Sequence, residues 1–209
     1  MSTLPPPPPD LAARPRAWKR LRAGSVLWRI HFTAGEHPMA WDGMRYFGRT
    51  TSRFDPQAQP CETAGPDPRG VAYLATDLPT ALAEVFQRTR VVDTRRGEPY
   101  LTALATAHDL DLLDLAGTAS LRLGAAGTIA GDRDFRATQA WARAIVTTWP
   151  ETPGLWCASA MSQQPCVTLY DPGVAPIFPT RPALSLPLSH PGLLPWLVPA
   201  SEEIGFTLL

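Results

Sequence analysis

The chain has 209 residues, 44% of them hydrophobic, enough for one domain with a substantial core. Lys plus Arg number 19, as do Asp plus Glu, so no overall positive field draws the chain onto nucleic acid or an anionic membrane, and direct binding of either is not expected. The three cysteines, Cys61, Cys157 and Cys166, form no CxxC pair and lie far from any histidine pair at zinc spacing; they read as buried or idle thiols.

Residues 1–17 form a leader whose run Leu4-Pro5-Pro6-Pro7-Pro8-Pro9-Asp10 favours polyproline II and supplies no donors to a sheet, so it is expected to be extended and mobile. It has no charged n-region followed by an apolar h-region, and no apolar stretch approaches the roughly twenty residues needed to span a bilayer, so a cytoplasmic protein is expected. Val26-Leu27-Trp28-Arg29-Ile30-His31-Phe32 and Val71-Ala72-Tyr73-Leu74-Ala75 read as strands. Residues 78–90 place Leu78, Ala81, Leu82, Val85 and Phe86 on one helical face, with Asp77 as N-cap and Pro79 in the first turn. Tyr100 to Ala105 and Leu110 to Leu115 are further strands. A second helix is signalled by Phe135, Thr138, Trp141, Ala142, Ile145 and Val146 and is stopped by Pro150. Gly154 to Ala158 and Cys166 to Tyr170 complete the strands.

From residue 172 to 209, Pro172, Pro176, Pro179, Pro182, Pro187, Pro191, Pro195 and Pro199 recur too often for an ordinary helix, so this tail is expected to be irregular and extended. Its Leu193, Leu194, Trp196, Leu197 and Phe206 are too apolar for a disordered linker, so they cover the core of the 18–171 domain or meet a partner. Strands outnumber helices without strict alternation, which predicts an α+β domain rather than a doubly wound parallel sheet.

Gly124-Ala125-Ala126-Gly127-Thr128-Ile129-Ala130-Gly131 lacks dinucleotide-loop spacing and reads as a turn before the second helix. No GxxxxGK[ST], GxSxG or HExxH occurs. His31 and His37 are isolated and are assigned no metal.

Three ordered segments carry more information. The first is Leu27-Trp28-Arg29-Ile30-His31. The second runs through Tyr46-Phe47-Gly48, Arg53-Phe54-Asp55-Pro56 and Gly70-Val71-Ala72-Tyr73-Leu74-Ala75-Thr76-Asp77 to Thr80-Ala81-Leu82-Ala83-Glu84. The third is Gly154-Leu155-Trp156-Cys157-Ala158-Ser159 followed by Cys166-Val167-Thr168-Leu169-Tyr170-Asp171. Together they resemble the RES-domain family, named for an Arg, a Glu and a Ser. Trp156-Cys157-Ala158 stands where a tyrosine-proline usually precedes the serine, and the stretch from Gln57 to Arg69 is longer than the usual turn.

The resemblance implies a mixed-sheet fold related to ADP-ribosyltransferases. It also implies NAD as a consumed substrate, cleaved by hydrolysis or phosphorolysis as in a glycohydrolase or phosphorylase, with inorganic phosphate as co-substrate in the second case. A toxin role beside an antitoxin is implied too. The site residues it carries over are Arg29, Glu84 and Ser159 as catalytic, with Arg53 and Tyr73 binding substrate. Two other readings stand beside this one: ADP-ribosyl transfer to a protein, and a non-catalytic module whose apolar tail binds an antitoxin or a second copy of the chain.

These residue types suit the chemistry. Cleaving nicotinamide from ribose develops positive charge on the sugar, which a carboxylate such as Glu84 stabilises while orienting a ribose hydroxyl. The guanidiniums of Arg29 and Arg53 make paired bonds to a pyrophosphate. Tyr73 can stack on nicotinamide or bond a phosphate, and Ser159 can hold the carboxamide or a ribose hydroxyl without being a nucleophile. Taken singly, each has a plainer reading. Glu84, off the apolar stripe, is a solvated charge; Arg29 snorkels at a sheet edge; Tyr73 is a half-buried sheet residue; and Arg53 pairs locally, with Asp55 two residues on, or sits in solvent.

Overall fold

The computed structural model describes residues 4–48, 50–58, 69–132, 134–171 and 178–209. In chain order its elements begin with β1 (Trp18–Leu21), β2 (Val26–Phe32), β3 (Gly70–Ala75), α1 (Leu78–Phe86), β4 (Val91–Val92), β5 (Pro99–Ala105) and β6 (Leu110–Asp114). There follow α2 (Thr118–Arg122), α3 (Phe135–Thr148), β7 (Gly154–Ala158), β8 (Pro165–Asp171), β9 (Leu184–Pro187), α4 (Leu194–Glu203) and β10 (Thr207–Leu208). The architecture is mixed α+β. An eight-stranded sheet runs β1-β6-β7-β8-β3-β2-β5-β9, antiparallel throughout except between β6 and β7.

Strand alternation distributes the core over both faces. Along β3, Val71 joins a cluster under α3 with Trp141, Ile145 and Leu155, and Ala75 joins one under α1 with Leu82 and Phe86. Ala72 and Leu74 join a third cluster with Leu27, Leu104 and Leu169. A Cβ on Gly154 would lie 2.1 Å from the Thr168 carbonyl oxygen, so only glycine lets β7 close on β8 there.

Both expected helices form; the first is capped by Asp77 as read, and the second has an aspartate cap that the sequence reading did not assign. The Asp77 carboxylate accepts from Thr80 N at 2.8 Å, and that of Asp134 from Arg136 N at 2.9 Å. The first helix ends at Phe86, short of residue 90, and Val85 is 37% exposed although the periodicity places it on the buried face.

The tail departs from expectation. It supplies edge strand β9, which pairs with β5, and helix α4, which buries Leu197 and Ala200 against the α1 cluster. Pro195 sits in the first turn, where its missing N–H has no intrahelical partner to lose. Pro199 lies inside the helix, where proline costs about 3 kcal/mol, and burial of Leu193, Leu197 and Phe206, each contributing about 1.5–3 kcal/mol, outweighs it. The leader is likewise packed: Leu4 and Leu11 are buried, and Trp141 Nε1 donates to the Pro5 carbonyl at 2.8 Å. Cys61, Pro172 and Pro176 lie outside the described residues. Among the described residues, no helix is long and apolar enough to cross a membrane.

Candidate active site

The sheet is split near its middle. β2 is in register with β5 at seven positions and β3 with β8 at six, yet β2 and β3 share only the register of Trp28 with Ala75. Beyond it the intervening chain enters the gap: Met39 N donates to the Phe32 carbonyl, and Arg45 bridges Val71. The separation opens a cavity of about 780 Å3 bounded by β2, β3, α1, the start of α3 and the segment after β7. Arg29, Arg53, Tyr73, Glu84 and Ser159 all line it.

Glu84 is half-buried rather than a solvated charge. Its Oε1 accepts from Ser159 Oγ at 2.5 Å and from Ala160 N at 3.1 Å. Among the described residues Oε2 takes no hydrogen bond. Ser159 is only 2% exposed, and its hydroxyl is fully committed. Its proton goes to Glu84, and its oxygen accepts from Met161 N and Ser162 N, both at 3.0 Å. A hydroxyl has one donor and two acceptor positions, so all are filled. In this state Ser159 holds the carboxylate, and the expected contact from Ser159 to a carboxamide or ribose hydroxyl has no free position.

Arg29 comes from an interior strand, not a sheet edge, and is 7% exposed. Nη1 donates to the Trp41 carbonyl at 2.8 Å, and among the described residues its other donors make no hydrogen bond. Burial lowers the guanidinium pKa to about 10, with Asp42 opposing, so Arg29 remains charged at neutral pH. His31 lies two residues along the same strand and also lines the cavity. Burial, then the Arg29 charge, push its pKa down to about 4, which leaves the imidazole neutral.

Tyr73 donates its phenolic hydrogen to Asp55 Oδ1 at 2.7 Å, and burial followed by the Asp55 charge raises its pKa well above the ordinary value. Asp55 pairs with Arg45, not with Arg53 as the local spacing suggests. Arg53 instead stacks over Phe135, its Cζ 5.3 Å from the ring centroid, and its buried Nε has no hydrogen-bond partner among the described residues. Arg45 and Asp55 were not legible as site residues. Asp55 lies inside the quoted Arg53-to-Pro56 motif, but nothing distinguishes Arg45 from any other loop arginine. Cys157 and Cys166 face each other across β7 and β8 on the cavity wall. Burial, then the Glu84 charge, push the Cys157 thiol up to about 12, so it is not a nucleophile at neutral pH.

A cleft formed by a split mixed sheet, with a buried arginine on one wall and a buttressed glutamate on another, has the form of a small-molecule site in an α+β domain. The RES domain family matches residues 26–189, and the chain belongs to that family. In fold it is similar to a chain of the M. tuberculosis MbcT–MbcA toxin–antitoxin complex, known from a crystal structure. The TM-score is 0.58 at 15% identity, covering 84% of this chain and 88% of that one. Comparison with curated proteins finds no match.

Proposed function

We propose that this chain consumes NAD by cleaving the bond between nicotinamide and ribose, with water or inorganic phosphate as acceptor. The observation that carries this reading is that Arg29 and Glu84, on a central strand and a separate helix, line one cavity of about 780 Å3. That volume lies within the roughly 300–1,000 Å3 typical of small-molecule sites. Glu84, held through Oε1, presents Oε2 to a sugar that becomes cationic as nicotinamide leaves. Nicotinamide departs as a neutral amide-bearing ring, so no general acid is required. The free donors of Arg29, with Arg53, suit the pyrophosphate.

The test is to incubate purified protein with NAD, with and without phosphate, and to identify products by mass spectrometry. ADP-ribose identifies a glycohydrolase, and its phosphate ester a phosphorylase. Label from NAD on a macromolecule would assign ADP-ribosyl transfer instead, and an unchanged dinucleotide would refute the proposal. A protein partner is supported separately by Leu194, Trp196 and Val198 on α4, which are 49%, 46% and 42% exposed. By analogy with the toxin–antitoxin complex of similar fold, we read this partner as an antitoxin and the chain as its toxin.

A further inference from the structure

Asp55 is fully buried, and each carboxylate oxygen accepts two hydrogen bonds. Oδ1 accepts from Arg45 Nη2 and Tyr73 Oη, and Oδ2 accepts from Thr50 N at 2.6 Å and Thr50 Oγ1 at 2.9 Å. Its partners are themselves tied down. Arg45 Nη1 donates to the carbonyls of Phe47 and Gly48 at 3.0 Å, and Gln139 of α3 donates to those of Thr50 and Ser52 at 2.8 and 2.9 Å. One carboxylate thus fastens the loop to the strand carrying Tyr73.

A phenol has a single hydrogen, and that of Tyr73 is given to Asp55. Phosphate oxygens at neutral pH only accept, so this hydroxyl has nothing to donate to them. Apart from the acceptor position on the phenolic oxygen, what Tyr73 has to offer a ligand is the ring, which suits a flat, positively charged heterocycle through stacking and cation–π attraction.

Building on the NAD reading above, we propose that Asp55 is a positioning residue of this site. It holds Tyr73 so that the aromatic face, not the phenolic proton, meets the nicotinamide end of the substrate. Tyr73 has no part in binding the pyrophosphate.

The experiment compares wild type, Tyr73→Phe, Tyr73→Leu, Asp55→Asn and the Asp55→Asn/Tyr73→Phe double variant by NAD kinetics and thermal unfolding. Tyr73→Phe keeps the ring but loses its tether to Asp55, so KM rises by about threefold, whereas Tyr73→Leu, which removes the ring itself, raises KM by about tenfold or more. Asp55→Asn raises KM with little change in kcat, and adding Tyr73→Phe makes neither KM nor Tm worse, since carboxylate and hydroxyl act as one pair. Thr50→Val removes one bond to Asp55 and gives a smaller effect of the same kind, which keeps the test open if Asp55→Asn fails to fold. Equal losses from Phe and Leu at position 73 would overturn the proposal, as would an Asp55→Asn or Thr50→Val protein of lower Tm and unaltered KM. If wild type leaves NAD intact, the NAD reading fails by itself. The unfolding cycle then still decides the Asp55–Tyr73 pairing, which additive losses would refute.

Discussion

Removing the Ser159 hydroxyl separates chemistry from architecture at Glu84. Ser159→Ala deletes a charge-assisted hydrogen bond to Glu84 Oε1 and leaves the Met161 and Ser162 amides without their acceptor at a position only 2% exposed. A bond to a charged group contributes about 1.5–3 kcal/mol and an orphaned buried donor costs about 1–3 kcal/mol, with partial relief from water. A net loss of roughly 2–4 kcal/mol lowers Tm by about 5–15 °C in a chain of this size. Loss of an oriented carboxylate lowers kcat by about 10- to 100-fold. Glu84→Gln makes the contrasting case, because its amide oxygen still accepts from Ser159 and Ala160, so Tm stays near wild type while kcat falls at least as far. The assay is nicotinamide release beside differential scanning calorimetry on both variants. A Ser159→Ala protein with wild-type kcat, or a Glu84→Gln protein that keeps turnover but melts early, would refute the reasoning.

Arg29→Ala should raise KM for NAD by about 10- to 100-fold, the worth of charged hydrogen bonds to a pyrophosphate; an unchanged KM in steady-state kinetics would remove Arg29 from the substrate. His31 has a folded pKa of about 4 against an ordinary 6.5, so between those values the unfolded chain binds the proton and the folded chain does not. Stability therefore rises with pH through that window, and acidification from pH 7 to pH 5 costs about 2 kcal/mol. Denaturant unfolding at both pH values should show this loss in wild type and a smaller one in His31→Gln, and equal losses would contradict the assignment. The Cys157 thiol, pushed up to about 12 by burial, should resist alkylation in the folded protein at pH 8 and react after unfolding. Peptide mass mapping reads the difference.

What was legible in the sequence is what short-range physics determines. Asp77, Pro79 and the spacing from Leu78 to Phe86 define α1, and Phe135, Trp141, Ile145 and Pro150 define α3, because caps and periodicity act within a few residues. The convergence of Arg29, Tyr73, Glu84 and Ser159 on one cavity was reached through family resemblance, since each side chain alone has a bland reading. Three features stayed hidden because they depend on contacts far apart in the chain. The split between β2 and β3 is a failure of pairing that neither strand's composition announces. The Arg45–Asp55–Tyr73 linkage joins a loop to a strand. Helix α4 forms despite Pro199 because the α1 cluster rewards burial of its apolar side, a tertiary effect that overrides local propensity.

The central claim, that Glu84 acts on a dinucleotide anchored in the cleft, is tested most directly by titrating NAD into Glu84→Gln protein by calorimetry while following nicotinamide release. Binding with an affinity close to the wild-type KM and no detectable release is the result expected. Release at the wild-type rate, or no binding by a folded Glu84→Gln protein whose wild-type parent also ignores NAD, would contradict it.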